Sequence, residues 1–302
     1  MLRRMRRDPN QIDDTRGDKV FSLVNGILIA IAFVIFAFPI YYIIISSISD
    51  PTAVANGQVT FFPVGFNLNG YRSILTYKDI WIGYGNSILY TFVGTVISVV
   101  MLILYAYPIS RRDFKAAKVM TVLLVVTMLF QGGVIPSYLL IKDMHMLDSM
   151  WAIILPKCLI PTYVIMCRTY FQTSIPNELQ EAAMLDGCGH FRYLISIVLP
   201  LSLPVIAVMV LYSAVNYWNS YFDALLYLST RAKYPLQIIL REILILNESI
   251  MSEGGTISED LKNMVYVVKY GIIIVSSLPL LILYPFVQKH FVKGVMIGAV
   301  KG

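Results

Sequence analysis

Charged side chains are scarce in this sequence of 302 residues. Asp, Glu, Lys and Arg make up 14% of it, whereas hydrophobic residues make up 57%. A soluble globule of this composition would leave far too much apolar surface in water, so the composition favours a protein embedded in a bilayer. The net charge of +6 is not gathered on one basic domain, and it therefore gives no support to nucleic-acid binding.

Cysteine and histidine are equally scarce. The three cysteines, Cys158, Cys167 and Cys188, form no CxxC pair, and two of them fall inside a predicted span, so we expect no disulfide framework. The three histidines lie in different loops without HExxH spacing. Metal catalysis therefore has no support, and no metal site is predicted.

Motifs that hold nucleotides are also lacking. The chain contains no GxxxxGK[ST] phosphate loop, and the near match Gly187-x-Gly189-x-x-Arg192 lacks the third glycine and a preceding strand. We therefore expect this chain to bind no cofactor itself. No Asp or Glu lies within the main predicted spans, which disfavours an ion-coupled secondary transporter, the alternative from another class of protein.

Long apolar runs dominate what the sequence does contain. A spanning helix needs about 20 largely apolar residues. Charge-free runs of that order cover residues 20–49, 80–110, 119–141 and 193–222, and a shorter run covers 270–288. Residues 150–171 form a sixth candidate that carries Lys157 and Arg168. The sequence predicts an all-α, polytopic membrane protein with about six transmembrane helices.

Basic residues mark one side of this predicted bundle. They cluster before the first span, between the second and third, and after the last, at residues 3–7, 111–118 and 289–301. With six spans these segments share one face, so both termini are predicted to be cytoplasmic in a bacterial cytoplasmic membrane. We predict a tail at 1–20, an uncleaved transmembrane domain at 21–290 with a cytoplasmic loop at 172–198, and a tail at 291–302.

Proline, glycine and polar clusters divide the chain further. Gly132-Gly133 and Pro136 should weaken the outer end of the third helix, and Pro156 and Pro161 should make the fourth helix irregular and interior-facing. Residues 46–80 and 222–263 read as external segments. The predicted helices cover residues 21–45, 85–108, 119–141, 150–171, 199–221 and 264–288.

A polar, small-residue stretch separates the fourth and fifth helices. Thr173 and Ser174 before Pro176 predict the start of a short helix that runs to Asp186. Small alanines allow a close fit to another protein, and Gly187 permits a sharp turn. These features favour a docking element over a catalytic one.

The full pattern of this stretch resembles a known motif. It reads Ile175-Pro176-x-Glu178-Leu179-x-Glu181-Ala182-Ala183-x-x-Asp186-Gly187, followed by Ile197-x-Leu199-Pro200. It is similar to the EAA loop of permease subunits in binding-protein-dependent ABC importers, with Cys188 where alanine is usual. Trp218-Asn219-x-Tyr221 and the tail at 295–302 resemble the smaller maltose-type carbohydrate class, close to its oligosaccharide and polysaccharide-fragment permeases.

The resemblance implies a type I ABC importer transmembrane domain that couples transport but is not an enzyme. Its partners would be a second permease, two ABC ATPases that hold ATP and Mg, an extracytoplasmic solute-binding protein, the carried oligosaccharide and membrane lipid. The mechanism implied is alternating access. The residues that would contact the ATPases are Glu181, Ala182, Ala183, Asp186, Gly187, Lys301 and Gly302.

Candidate cargo contacts are aromatic, amide or charged side chains on inward helices: Lys157, Tyr212, Asn216, Tyr217 and Trp218. An ionisable group within a span tends to mark a pathway, so Lys157 is predicted to face a cavity and help an acidic sugar pass. Snorkelling to the interface or pairing with an acid are the alternatives.

External residues 247–260, centred on Gly254 and Gly255, would contact the binding protein, unless they are only a flexible connector. A non-sugar cargo such as a polyamine, amino acid or phosphate stays open, because the coupling loop does not read cargo.

Overall fold

The computed structural model describes residues 15–130, 132–252, 268–282 and 284–285, and every regular element in that part of the chain is helical. The first helices are α1 (Arg16–Ser47), α2 (Pro51–Ala55), α3 (Asn69–Thr76), α4 (Lys78–Ser110), α5 (Ala117–Leu129), α6 (Val134–Asp143) and α7 (Met150–Ile154). They are followed by α8 (Pro161–Ser174), α9 (Asn177–Leu185), α10 (His190–Tyr193), α11 (Leu199–Leu201), α12 (Leu203–Trp218), α13 (Tyr221–Tyr227), α14 (Leu236–Ser252) and α15 (Val268–Ile282).

Helix α1 is a peripheral span. Its start is fixed by a capping box, in which the Asp18 amide donates to Thr15 Oγ1 at 3.2 Å and the Thr15 amide donates to Asp18 Oδ2 at 2.9 Å. None of its most apolar 18 residues is buried within this chain. Only its end packs inward, where Ile45 meets Val54 of α2. The long apolar face of α1 is therefore available to lipid or to another subunit.

Helix α4 forms the centre of the bundle, with α12, α8 and α14 packed around it. It packs tightly against α12 at Gly94, where a Cβ atom would lie 2.8 Å from carbons of the Tyr217 ring. The absence of a side chain at Gly94 thus sets how closely these two helices pack. Because α4 has 33 residues, its two ends lie about 50 Å apart.

Three of the predicted spans are broken. The third bends by 115° between α5 and α6, beside Gly133 at φ 80°, and the fourth by 46° between α7 and α8. The fifth bends by 83° where α11 meets α12. Counting each bent pair as one, the described residues contain up to five spans, and the shorter apolar helix α15 adds a sixth. The predicted number of about six apolar helices is confirmed.

Buried faces of α7 and α8 confirm that the fourth span is both irregular and interior. A 3₁₀ turn at Leu155–Lys157 separates the two helices, and Pro161 opens the second of them. Ile153, Val164 and Phe171 are fully buried. A backbone interruption at membrane depth is tolerated here because protein surrounds it.

Several predicted boundaries are wrong. The second helix begins at Lys78, seven residues before the predicted 85, because Asp79 suits the positive end of a helix and pairs with Arg231. The stretch at 222–263, predicted as external, also contains helices that were not predicted, namely α13, a 3₁₀ turn at Arg231–Lys233 and α14. Thr173 and Ser174 do not cap the short helix, because they form the last turn of α8, and α9 follows Pro176 without a side-chain cap.

A cluster around Asp148 fixes the chain between α13 and α14. The Asp148 carboxylate accepts hydrogen bonds from the Thr230 amide and hydroxyl at 2.9 and 2.7 Å, and from Lys233 Nζ at 2.7 Å. These hydrogen bonds, that of Lys233 first, hold the pKa of Asp148 well below its ordinary value. Nearby, Arg231 pairs with Asp79 at the start of α4. This cluster therefore lies at the opposite end of α4 from Arg111, the residue that directly follows the helix.

Candidate functional site

The turn after α9 forms an elbow, which we define as residues 175–202. The Gly187 amide donates to the Met184 carbonyl at 3.0 Å, and the Cys188 amide donates to the Ala183 carbonyl at 2.9 Å. This pair of hydrogen bonds is the Schellman motif, and Gly187 adopts the left-handed φ of 74° that the motif requires. The chain then reverses into α10, which leads through a π-helix at Leu194–Val198 to the fifth span.

The exposed face of the elbow combines acidic and apolar side chains. Of the predicted coupling residues, Glu181, Ala182, Asp186 and Gly187 are exposed, whereas Ala183 is buried against the bundle. The apolar part of this face was not predicted, and here Leu185 is 89% exposed. Leu179, Met184 and Phe191 are exposed as well. Their signal was available, since they are large apolar residues within a predicted polar loop.

Arg111 joins the elbow to α4. It follows the last residue of α4, is only 6% exposed, and donates from Nη1 to Gln180 Oε1 of α9 at 3.1 Å. Its guanidinium also lies over the Tyr107 and Tyr193 rings, at 5.2 and 5.9 Å from their centroids. Gln180 is itself only 9% exposed. We call the Arg111 and Gln180 pair the clamp, because it connects a predicted coupling helix to the central span.

Further polar side chains satisfy the end of α4. Arg168 Nε of α8 donates to the Ile109 carbonyl at 3.1 Å, and Gln172 Nε2 donates to the Ser110 carbonyl at 3.4 Å. The last carbonyls of a helix have no partners within it, and cations near them are favourable. Helices α8 and α9 are thus both hydrogen-bonded to the end of α4.

A groove of about 470 Å³ opens beside α12. Its lining residues are Lys157, Tyr163, Leu211, Tyr212, Val215, Asn216 and Asn219. The Tyr163 and Tyr212 rings lie 5.7 Å apart, tilted by 39°. The groove therefore combines aromatic faces, amides and one cation, which is a lining suited to a polar ligand with apolar faces.

Lys157 forms an ion pair with Asp223 at the start of α13. Both side chains stay partly accessible, at 27% and 21% exposure. Lys157 thus lines a groove and also pairs with an acid, and its predicted role toward an acidic sugar stays a prediction. Asp223 was missed because the two residues are distant in sequence.

The remaining predicted cargo residues do not all reach the groove. Tyr212 and Asn216 line it, but Tyr217 is 2% exposed, donates to the Ile154 carbonyl at 3.0 Å and bonds with Ser98 Oγ at 2.8 Å. Trp218 is buried too, and its Nε1 donates to the Ser276 carbonyl at 3.1 Å. These two side chains connect helices. Four other predicted site residues lie outside the described residues: Gly254, Gly255, Lys301 and Gly302.

A bundle of broken apolar helices with a polar groove and an exposed elbow defines a helical transport protein of the membrane. The chain belongs to the family of binding-protein-dependent transport system inner membrane components, whose model matches residues 80–297. It is therefore a multi-pass, inner-membrane subunit of a transport system that works with a binding protein.

Individual relatives are similar over nearly the whole chain. Protein LplC of Bacillus subtilis (strain 168) is 37% identical over 289 residues, which covers 96% of this chain and 97% of the relative. The polygalacturonan/rhamnogalacturonan transport system permease protein YtcP of the same organism is 38% identical over 280 residues, covering 93% and 97%.

A solved structure shares the fold. A chain of a bacterial ABC transporter involved in the import of the acidic polysaccharide alginate superposes with a TM-score of 0.81 at 31% identity, over 93% of this chain and 100% of that chain. The type I ABC importer transmembrane fold predicted from the elbow motif is thereby confirmed.

Proposed function

We propose that this chain is a permease subunit of an ATP-driven importer that passes an acidic oligosaccharide, delivered by a solute-binding protein, across the cytoplasmic membrane. The observation that carries the proposal is the groove beside α12, where Lys157 lies next to two tyrosines and two asparagines. The similarity to a polygalacturonan/rhamnogalacturonan permease and to an alginate importer supports an acidic sugar as cargo.

The chemistry of the groove suits a sugar acid. Pyranose rings have apolar faces that pack on aromatic side chains such as Tyr163 and Tyr212, and hydroxyl groups that bond with the amides of Asn216 and Asn219. A uronate adds a carboxylate, for which Lys157 supplies the cation. A volume of about 470 Å³ accommodates a short segment of such a chain.

The elbow is proposed to dock on an ATPase subunit. Glu181, Ala182 and Asp186 lie on its exposed face, and the exposed Leu185 supplies apolar area that a partner would cover. Ala183 and Gly187 would instead set the packing and the turn of the elbow. ATP and Mg are proposed to bind two separate ATPases, with a second permease completing the complex.

Segments outside the described residues enter this proposal from sequence alone. Lys301 and Gly302, in the cytoplasmic tail predicted at 291–302, are proposed to contact the ATPases. Gly254 and Gly255 are proposed to contact the solute-binding protein on the opposite side of the membrane.

The clamp would transmit motion from the ATPases to the central span. When the ATPases close, they would move α9, and the hydrogen bond that Arg111 donates to Gln180 would carry that movement to the end of α4. Helix α4 also packs along α12, which lines the groove, so a tilt of α4 changes the shape of the groove. Alternating access is then a rocking of packed helices that accompanies ATP hydrolysis on the partner.

The test compares two matched cargoes in proteoliposomes that contain the complete complex and its binding protein. Trigalacturonate carries carboxylates, and its methyl ester has the same sugars without charge. We expect Lys157→Gln to lower uptake of the acid roughly tenfold, because losing a contact between charged groups costs about 1.4 kcal/mol. Uptake of the ester should stay unchanged.

Lys142→Gln is the matched control, since Lys142 is an exposed lysine at the end of α6 and outside the groove. It should leave uptake of both cargoes at the wild-type level. Unchanged uptake of the acid by Lys157→Gln would contradict the assignment of an acidic cargo to this groove.

A further inference from the structure

The ion pair between Lys157 and Asp223 bridges two separate elements beside the groove. Lys157 ends the 3₁₀ turn that interrupts the fourth span, and Asp223 lies in the first turn of α13. Lys157 lines the groove, whereas Asp223 approaches it from outside the lining. The cation offered to a cargo is therefore already neutralised by a carboxylate of the protein.

Among the described residues that line the groove, Lys157 is the one charged side chain. Lys157 also lines a smaller cavity together with Tyr163, Asn216 and Tyr217, and no other Lys, Arg, Asp or Glu is among its described lining residues. Lys157 and Asp223 form no other ion pair among the described residues. An unpaired lysine at this depth would be costly, so the pair leaves the groove electrically balanced while it is empty.

We propose that Asp223 is a specificity-determining residue, an internal counter-ion that a carboxylate of the cargo replaces on Lys157. This inference rests on the proposed function of the groove. A uronate that enters takes the place of Asp223 on Lys157, so the charge of Lys157 stays compensated. The displaced Asp223 carboxylate, whose side chain is 21% exposed, is then hydrated by water. A neutral sugar cannot make the exchange, and it meets a groove in which Lys157 remains occupied.

The exchange predicts the direction in which a substitution at Asp223 changes uptake. Because Asp223 competes with the cargo, removing its charge while keeping its shape should improve the uptake of acidic sugars. Partly exposed ion pairs contribute up to about 1 kcal/mol, so Asp223→Asn should lower the half-saturating concentration of an acidic cargo by about two- to fivefold. A purely structural pair predicts the opposite, since its loss would impair uptake of every cargo.

The experiment measures initial uptake rates against concentration for trigalacturonate and its methyl ester in proteoliposomes. It compares wild type, Asp223→Asn, Lys157→Gln and the double variant, all with the same binding protein, so that the ratio of variant to wild type reports on the permease. We expect Asp223→Asn to lower the half-saturating concentration of the acid alone. The double variant should match Lys157→Gln, because the competition needs the lysine.

The other outcomes separate this inference from the proposed function. If Lys157→Gln lowers uptake of the acid but Asp223→Asn leaves it unchanged, or weakens both cargoes equally, the exchange is refuted and the proposed function stands. If Lys157→Gln leaves the ratio of acid uptake to ester uptake unchanged, or if wild type transports neither cargo, both the proposed function and the exchange are refuted. Thermal unfolding of each purified complex reports whether Asp223→Asn has disturbed assembly.

Discussion

Breaking the clamp should uncouple ATP hydrolysis from transport. Gln180→Leu keeps the approximate volume of the side chain but removes Oε1, the atom that accepts the hydrogen bond from Arg111 Nη1. Arg111 is almost completely buried, and its Nη2 has no partner among the described residues. The variant therefore leaves both terminal nitrogens of a buried guanidinium without a side-chain acceptor.

The size of the effect follows from that geometry. A hydrogen bond to a charged group contributes about 1.5–3 kcal/mol, so the attachment of α9 to α4 should weaken by about 2 kcal/mol. That free energy corresponds to roughly a 30-fold shift from the attached to the detached state. The weak bond from Gln180 Nε2 to Asp113 Oδ2, at 3.4 Å, is lost as well.

The assay measures cargo accumulated per ATP hydrolysed by the reconstituted complex. We expect this ratio to fall severalfold in Gln180→Leu while the ATPases remain bound, because the exposed face of the elbow is unchanged. Gln58→Leu, at an exposed glutamine between α2 and α3, is the matched control and should behave as wild type. A wild-type ratio in Gln180→Leu would refute the role of the clamp.

A second substitution separates stability from coupling. Arg111→Met in the Gln180→Leu background removes the unpaired charge, and replacing both partners of a buried pair by apolar groups is often nearly neutral for stability. The double variant should regain thermal stability but not the ratio of cargo to ATP. Recovery of both would show that the clamp only stabilises the fold.

Two further predictions concern stability. Gly94→Val places side-chain atoms against the Tyr217 ring, where a Cβ alone would lie 2.8 Å from the ring carbons. Overpacking of this kind should destabilise the protein by about 1–3 kcal/mol, measured by thermal unfolding. Unaltered unfolding would contradict this packing. Asp148→Asn should lower stability at pH 7, but its difference from wild type should shrink as the pH falls below about 4. A carboxyl group whose pKa is lowered in the folded state stabilises the protein above its ordinary pKa, and it loses that contribution as the pH falls through the folded pKa. A difference in stability that does not depend on pH would contradict the role of the Asp148 charge.

Local signals account for what the sequence predicted correctly. Apolar runs set the number of spans, and proline or glycine marked where they break, at Gly133 and Pro161. The elbow was predictable because its helix, its turn at Gly187 and its exposed acids all lie within one short stretch. Each of these features depends on residues that are near one another in the chain.

Long-range pairs account for what it missed. Gln180 carries no charge and matches no motif, and its partner Arg111 lies 69 residues away, so only the folded chain reveals the clamp. Asp223 is hidden from sequence reasoning for the same reason. Tyr217 was predicted to contact cargo because it is a polar aromatic residue on an inward helix, yet its hydroxyl is used to join α12 to α7 and α4.

The elbow is proposed to carry the motion of the ATPases into the membrane. The most direct test introduces Glu181→Lys together with Gly187→Val, which reverses an exposed charge and forces a branched side chain into a left-handed backbone conformation that costs about 1–2 kcal/mol. The measurement is labelled trigalacturonate accumulated per ATP hydrolysed, alongside retention of the ATPases during purification. We expect loss of accumulation together with weakened retention of the ATPases, whereas wild-type values of both would show that the elbow does not transmit this motion.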